Sequence, residues 1–181
     1  MGPKKKAGEE GEDLSTEQFM KVYKKNCQAL ECPVSKIIKE RYESDYMEEG
    51  NPITKVSIFP FTPRLHLILI IVQFHVWEQL GWQGVKAIMD ALRTVKYQHA
   101  RSIRLWKTGC QDEGIRSVTQ YMEENNSVVI LELLDNLITP LGCEFIGRCL
   151  MPEKKLIITT LKLDHNNIGS EGLNHLAKGL S

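Results

Sequence analysis

Three stretches of the sequence resemble one another: IRLWKTGCQDEG (103–114), LELLDNLITPLG (131–142) and LKLDHNNIGSEG (161–172). Their first and third residues are aliphatic, the eighth is Cys or Ile, and the twelfth is always glycine. The sixth residue is Thr108 in the first stretch and Asn136 or Asn166 in the others. The stretches begin 28 and then 30 residues apart. Agreement at five positions with this spacing predicts an internal repeat of one structural unit.

Each unit is predicted to form a short strand, a turn and a helix. The alternating aliphatic residues mark one face of a strand, and the asparagine amide can satisfy backbone groups at the turn. The glycine lets the helix start close to its neighbour. The expected apolar helix faces are Ile115, Val118 and Met122, then Phe145, Cys149 and Leu150, then Leu173, Leu176 and Leu180. Since one unit cannot bury its own apolar side, the units must share a core.

A fourth, partial unit precedes these three. Leu80 and Gly84 stand 30 residues before Cys110 and Gly114, and the stretch GVKAIMDALRTV (84–95) has the periodicity of an amphipathic helix. Its strand is expected near residues 73–75, where the leucines of the pattern are missing. An alternative is that the original strand residues lie farther upstream, at 56–58, displaced by an apolar insertion.

The pattern LxLxxNxIxxxG followed by a helix resembles the leucine-rich repeat of the ribonuclease-inhibitor type, over residues 80–181. The resemblance implies an α/β fold: a short curved horseshoe solenoid with parallel strands inside, helices outside, and additional N-terminal helices. It also implies an intracellular ligand-binding surface without catalysis. Thr108 departs from the family's asparagine, so we expect that turn to be held less firmly. The last predicted helix is followed by one residue only, without a polar cap, which is typical of a shortened form of a longer repeat protein.

The chain is predicted to divide into four parts: a disordered tail (1–14), an N-terminal helical segment (15–45), an irregular apolar insertion (46–76) and the leucine-rich repeats (77–181). Ser15 with Gln18 forms a capping box, and Pro33 suits the first turn of a second helix. We expect these two helices to cap the repeats; the alternative is that they bind a partner helix. The apolar run HLILIIVQFHV (66–76) is too short to cross a bilayer.

Composition and missing motifs restrict the function classes. Lys plus Arg and Asp plus Glu both number 23, a balance that argues against a nucleic-acid partner. The sequence has no long apolar run, no secretory signal, and five cysteines, which indicates reduced thiols in the cytosol or nucleus. It contains no phosphate-binding loop, nucleophile elbow or zinc-protease motif. We therefore expect no enzymatic activity, no cofactor, no metal and no small-molecule substrate, with Cys110 in the core.

A partner-binding surface is predicted on the inner strand wall. The second and fourth residues of each unit alternate with the buried leucines and should point outwards. These residues are Arg104, Trp106, Glu132, Leu134, Lys162 and Asp164. The charged column alternates in sign, while Trp106 and Leu134 form an apolar pair of the kind that protein contacts use. The alternative for Trp106 is that it packs beneath the inserted apolar segment or beneath the N-terminal helices.

The sequence thus predicts a cytoplasmic, non-catalytic scaffold that holds another protein on its concave strand face. An alternative is a truncated, non-functional or regulatory isoform of a longer leucine-rich-repeat protein, such as a component of the ciliary axoneme. That alternative would place the chain in the cilium.

Overall fold

The computed structural model describes residues 7–47, 78–98 and 100–181. Within these ranges the chain forms six α-helices and three short β-strands. In chain order they are α1 (Ala7–Ala29), α2 (Lys36–Met47), α3 (Gly81–Thr94), β1 (Ser102–Arg104), α4 (Gln111–Glu124), β2 (Ile130–Glu132), α5 (Pro140–Leu150), β3 (Thr160–Lys162) and α6 (Gly169–Leu180). A 3₁₀ turn at Pro152–Lys154 follows α5.

The three strands form one parallel sheet in the order β1-β2-β3. Ile103 lies opposite Leu131, and Leu131 lies opposite Leu161, so the sequence spacing of the three units is the register of the sheet. The side chains of Leu131 and Leu133 are fully buried. The parallel alignment and the inward direction of these leucines, both expected from the sequence, are confirmed.

The predicted fold class, a horseshoe solenoid lined by strands, is wrong. The described residues are mostly helical, and the sheet contains three strands of only three residues each. The strands are short because Lys107, Asp135 and His165, soon after their ends, have positive φ values of 51°, 54° and 57°. This left-handed conformation turns the chain out of the extended path. The fold is therefore a helical layer against a small sheet.

The helices of successive units pack side by side, with α4 against α5 and α5 against α6. The last two approach closely because they meet at glycines. A side chain at Gly147 would overlap the carbonyl of His175, and one at Gly179 would overlap the carbonyl of Gly147. Glycine is required at this crossing for its lack of a Cβ atom, and not for an unusual φ value.

Helix α1 packs against α3 at the other side of the units. Phe19 and Tyr23 are fully buried, and their rings stack at a centroid distance of 5.7 Å. The Asn26 side chain donates to the carbonyl of Ala87 in α3 at 3.1 Å.

Helix α1 begins at Ala7, inside the segment 1–14 that was expected to be a disordered tail. The apolar insertion expected over 46–76 lies outside the described residues from residue 48 onwards.

The start of α2 differs from the expectation that Pro33 occupies its first turn. The helix begins at Lys36, and the Ser35 hydroxyl accepts a hydrogen bond from the amide of Ile38 at 3.2 Å. Ser35 is thus the N-cap residue of α2. Glu78 then accepts from the Ser35 hydroxyl at 2.5 Å and from the amide of Lys36 at 3.1 Å. This carboxylate ties the start of α2 to the segment that leads into α3.

Two asparagine side chains connect neighbouring units where the strands end. Asn136 Oδ1 accepts from the amide and the hydroxyl of Thr108 at 3.0 and 2.9 Å, and its Nδ2 donates to the carbonyl of Leu105. Asn166 Oδ1 accepts from the amides of Asn136 and Ile138 at 2.9 and 3.1 Å. Asn136 is fully buried. Each carboxamide therefore continues the backbone pairing of the preceding unit beyond the end of the sheet.

We expect Asn136→Leu to lower the free energy of unfolding by about 3 kcal/mol, because it leaves buried backbone groups at Thr108 and Leu105 without their partner. The two side chains have similar volumes, so little of the loss should come from a cavity. Urea unfolding followed by circular dichroism measures the change.

The matched control is Asn126→Leu, at an exposed position between α4 and β2. It should change the free energy of unfolding by no more than about 0.5 kcal/mol. Equal losses in the two variants would contradict the role of the Asn136 carboxamide.

Candidate functional site

The charged column of the strand face is continuous across the sheet. Arg104 lies opposite Glu132, and Glu132 lies opposite Lys162. Arg104 Nε is 3.4 Å from Glu132 Oε2, and Lys162 Nζ is 3.1 Å from Glu132 Oε1. The Glu132 side chain is only 7% exposed, against 24% for Arg104 and 50% for Lys162. One buried carboxylate thus holds two cations, one on each neighbouring strand.

Trp106 joins this cluster through its indole nitrogen. Nε1 donates a hydrogen bond to Glu132 Oε2 at 3.1 Å, and the side chain is half-buried. Leu134 is also half-buried, whereas Asp164 is exposed. The structure therefore connects Arg104, Trp106, Glu132 and Lys162 directly. Leu134 and Asp164 follow the same strands, two residues after Glu132 and Lys162.

A second charged pair borders the face where the strands end. Lys107 Nζ lies 3.4 Å from Asp135 Oδ2, and both side chains are about half exposed. Lys107 and Asp135 have the positive φ values that turn the chain away from the sheet. The face thus consists of paired charges around a tryptophan. The side chains of Lys162 and Asp164 are exposed to solvent. Such a surface offers hydrogen bonds and aromatic contact to another polypeptide.

The described residues provide no metal site on or near this face. Among them, no group of three or more His, Cys, Asp or Glu side chains could hold a metal ion. The side-chain hydrogen bond and the ion pairs described on the face join its own residues, and the Glu132 carboxylate contacts two cations and an indole N–H. The arrangement is suited to holding a partner by complementary charge and contact area.

The cysteines in the core are shielded from reaction. Cys110, which the repeat pattern placed in the core, is fully buried, as are Cys143 and Cys149. Burial raises the pKa of Cys110 and Cys149 to about 12 and that of Cys143 to about 11. Since the thiolate is the nucleophile, these thiols are poor candidates for covalent chemistry at neutral pH. Cys32 is half-buried.

Asp112, which was not among the residues predicted from the sequence, organises the second unit. Its Oδ1 accepts from the amides of Thr139 and Gly142 at 2.9 and 3.0 Å, and its Oδ2 accepts from the Thr139 hydroxyl at 2.6 Å. The carboxylate of one unit thereby holds the start of the next unit's helix, α5, where a negative charge is favourable. The sequence contained one indication of this contact. The helix that starts after Thr139 has no acidic residue in its own first turn.

Two exposed leucines were also missed. Leu137, in the connection from β2 to α5, is 55% exposed, and Leu141, in the first turn of α5, is 48% exposed. Leu137 has a φ of 60°, a conformation that bulky residues rarely adopt. Its position, between Asn136 and Ile138 of the repeat pattern, gave no sign of exposure in the sequence.

The chain matches none of the protein-family models with which it was compared. No curated protein matches it either. Of the helices in the described ranges, none has the length and apolar character that crossing a bilayer requires.

The burial of the thiols predicts an order of labelling by a thiol reagent in the native protein. At pH 8, Cys32 should react first, while Cys27, Cys110, Cys143 and Cys149 should react at least about a hundredfold more slowly. Their raised pKa values reduce the thiolate fraction, so their labelling should accelerate as the pH rises towards 11. Mass spectrometry of tryptic peptides gives the rate at each residue.

Labelling in urea is the control, because all five thiols should then react at similar rates. Rapid native labelling of Cys110 at pH 8 would show that the thiol is accessible, and would reopen a catalytic role for it.

Proposed function

We propose that the chain is a non-catalytic protein-interaction module that binds another protein on its strand face. The strand face is defined by Arg104, Trp106, Glu132, Leu134, Lys162 and Asp164. The observation that carries this proposal is the buried Glu132 carboxylate in β2, which holds Arg104 and Trp106 on one neighbouring segment of chain and Lys162 on the other. A partner would meet side chains that are already ordered, so less conformational entropy would be lost on binding.

The proposed partner surface combines one aromatic anchor with charges of both signs. Trp106 would supply contact area, and its indole N–H is already bonded to Glu132. Lys162 and Asp164 would face the partner from the edge of the sheet, where both are exposed. A tryptophan surrounded by polar groups is a common centre of protein–protein binding energy. Mixed charges would select the partner and its orientation.

We further propose that the three units are related to the leucine-rich repeats of the ribonuclease-inhibitor type. Support comes from the in-register pairing of the units and from the asparagine that joins each unit to the one before it. The proposed relation applies to each repeating unit and not to the overall architecture, because the described residues do not form the strand-lined solenoid. We also propose a cytoplasmic location. That the chain is a shortened form of a ciliary protein is still a prediction, and it is based on the resemblance alone.

Two pairs of substitutions test the strand face. Trp106→Ala with Leu134→Ala should weaken the capture of a specific partner by about tenfold or more, because both remove contact area. Lys162→Ala with Asp164→Ala should also weaken capture, without changing the net charge. Partners are crosslinked in cells to the tagged full chain and quantified by mass spectrometry.

The matched control is Lys178→Ala with Glu171→Ala, which removes one cation and one anion from exposed positions on α6. This variant should capture the same partner as the unmodified chain. Circular dichroism verifies that every variant is folded. If the strand-face variants and the control capture the partner equally well, binding occurs elsewhere on the molecule.

A further inference from the structure

Helix α6 exposes apolar side chains whose counterparts in the preceding units are buried or half-buried. Leu173 is 62% exposed, whereas Cys143 and Ile115, at the corresponding positions of α5 and α4, are fully buried. Leu180 is 69% exposed, whereas its counterparts are half-buried (Leu150 in α5) and 1% exposed (Met122 in α4). In α5, the Cys143 position faces the next helix, because a Cβ atom at Gly172 would lie 3.0 Å from its sulfur. Leu173 therefore points to where a further unit would pack.

The same difference in burial is found in and after β3. Leu163 is half-buried, whereas Leu133 and Leu105, at the same position of the other units, are buried. Ile168 is half-buried, whereas its counterpart Ile138 is fully buried. We call the surface formed by Leu163, Ile168, Leu173 and Leu180 the C-terminal face. Its apolar side chains correspond to those that pack between the first and second units and between the second and third units.

Within the molecule, that interface is closed by a fixed set of hydrogen bonds. The amides of Leu133 and Asp135 donate to carbonyls of the third unit at 2.9 and 3.0 Å. The amides of Asn136 and Ile138 donate together to a single oxygen, Asn166 Oδ1, at 2.9 and 3.1 Å. Two backbone carbonyls and one side-chain amide oxygen therefore satisfy four donors of the second unit.

The third unit carries the same four donors without acceptors. The amides of Leu163, His165, Asn166 and Ile168 have no hydrogen-bond partner among the described residues. Among the described residues, Leu163 and the four donors lie at the outer edge of the sheet, beyond β3, and Leu173 and Leu180 lie on the helix that follows. An open edge of this kind can be extended by another strand.

We propose that the C-terminal face binds an extended segment of a partner protein that runs parallel to β3. The segment has aliphatic residues at alternate positions, followed three residues later by an asparagine. Its carbonyls accept from the amides of Leu163 and His165, and its asparagine oxygen accepts from those of Asn166 and Ile168. A following helix covers Leu173 and Leu180. The site is separate from the strand face, so it does not rest on the function proposed above.

The asparagine follows from the way in which the two internal interfaces are built. In each, the carboxamide accepts with its oxygen and donates with its nitrogen, as Asn166 does to the carbonyl of Leu133 at 2.8 Å. A carboxylate could accept but could not donate. A second copy related by a two-fold axis would bring its own β3 in the antiparallel direction. The amides of Asn166 and Ile168 would then lack an acceptor like Asn166 Oδ1, the single oxygen that accepts from the corresponding amides of Asn136 and Ile138.

A peptide with the sequence of residues 156–181, LIITTLKLDHNNIGSEGLNHLAKGLS, serves as the probe. It carries the aliphatic and asparagine pattern and contains no cysteine. The fluorescein-labelled peptide is added to the full chain, and fluorescence anisotropy measures binding. We expect saturable one-to-one binding. Hydrogen exchange should become slower at the amides of Leu163, His165, Asn166 and Ile168 when the peptide is present.

Two changes should each weaken peptide binding by about tenfold or more. In the chain, Leu173→Glu with Leu180→Glu places charges on the apolar part of the C-terminal face at positions that are already exposed. In the peptide, replacing the asparagine that corresponds to Asn166 by leucine removes the shared acceptor. The matched control in the chain is Asn174→Glu with Ser181→Glu, which adds the same charge with the same spacing one residue along.

Three results would overturn the proposal. The first is no saturable binding up to a peptide concentration of about 1 mM, the weak limit of specific recognition. The second is an equal loss of binding in the control variant. The third is protection of the four amides that rises with protein concentration in the absence of peptide, which would assign the face to a second copy of the chain. None of these variants changes the strand face. A negative result in this experiment would therefore not contradict the proposal that the strand face binds another protein.

Discussion

The fully buried carboxamide of Asn136 is the interaction on which the arrangement of the units depends. A buried amide without partners destabilises a protein, so its presence in the core requires that its oxygen and nitrogen both be satisfied. Here the oxygen accepts from Thr108, and the nitrogen donates to Leu105. Since the strands have only three residues each, their own ladder is too short to fix the register firmly. The carboxamide adds directional contacts beyond the strand ends, and Asn166 repeats them for the next unit.

Helix packing adds a second constraint on the same units. The contact of Gly147 with Gly179 brings α5 and α6 close together, while the Asp112 carboxylate holds the start of α5 against the preceding unit. Close helices and short strands together make the described chain mostly helical. The left-handed residues after the strands explain why the sheet stays small even though the units are aligned as the repeat required.

The two surfaces discussed above differ in how well their polar groups are satisfied. On the strand face, Glu132 already compensates Arg104 and Lys162, so binding there would use contact area and the remaining charges. On the C-terminal face, four backbone donors and several leucines lack what their counterparts have in the preceding units. The first surface is suited to selecting a partner by shape and charge. The second is suited to backbone recognition, where hydrogen bonds give affinity and alternate side chains give specificity.

The sequence by itself determined the unit, its spacing and its register, because aliphatic alternation, a fixed asparagine and a fixed glycine each have a local physical cause. It also determined that Leu133 and Cys110 are buried, since both lie on the apolar side of the pattern. It did not determine the size of the sheet, which depends on the backbone conformation of Lys107, Asp135 and His165. Nor did it reveal Asp112, whose partners are 27 and 30 residues away.

Tertiary structure alone decided how the candidate site is built. The six residues of the strand face could be chosen from alternation, but the burial of Glu132 and its contacts with three neighbours arise from strands that meet only in the folded chain. Among the described residues, the unpaired outer edge of β3 likewise depends on which strands meet in the folded chain. Leu173, Cys143 and Ile115 occupy the same position of the repeat, and the presence or absence of a packed neighbour makes the first exposed and the other two buried.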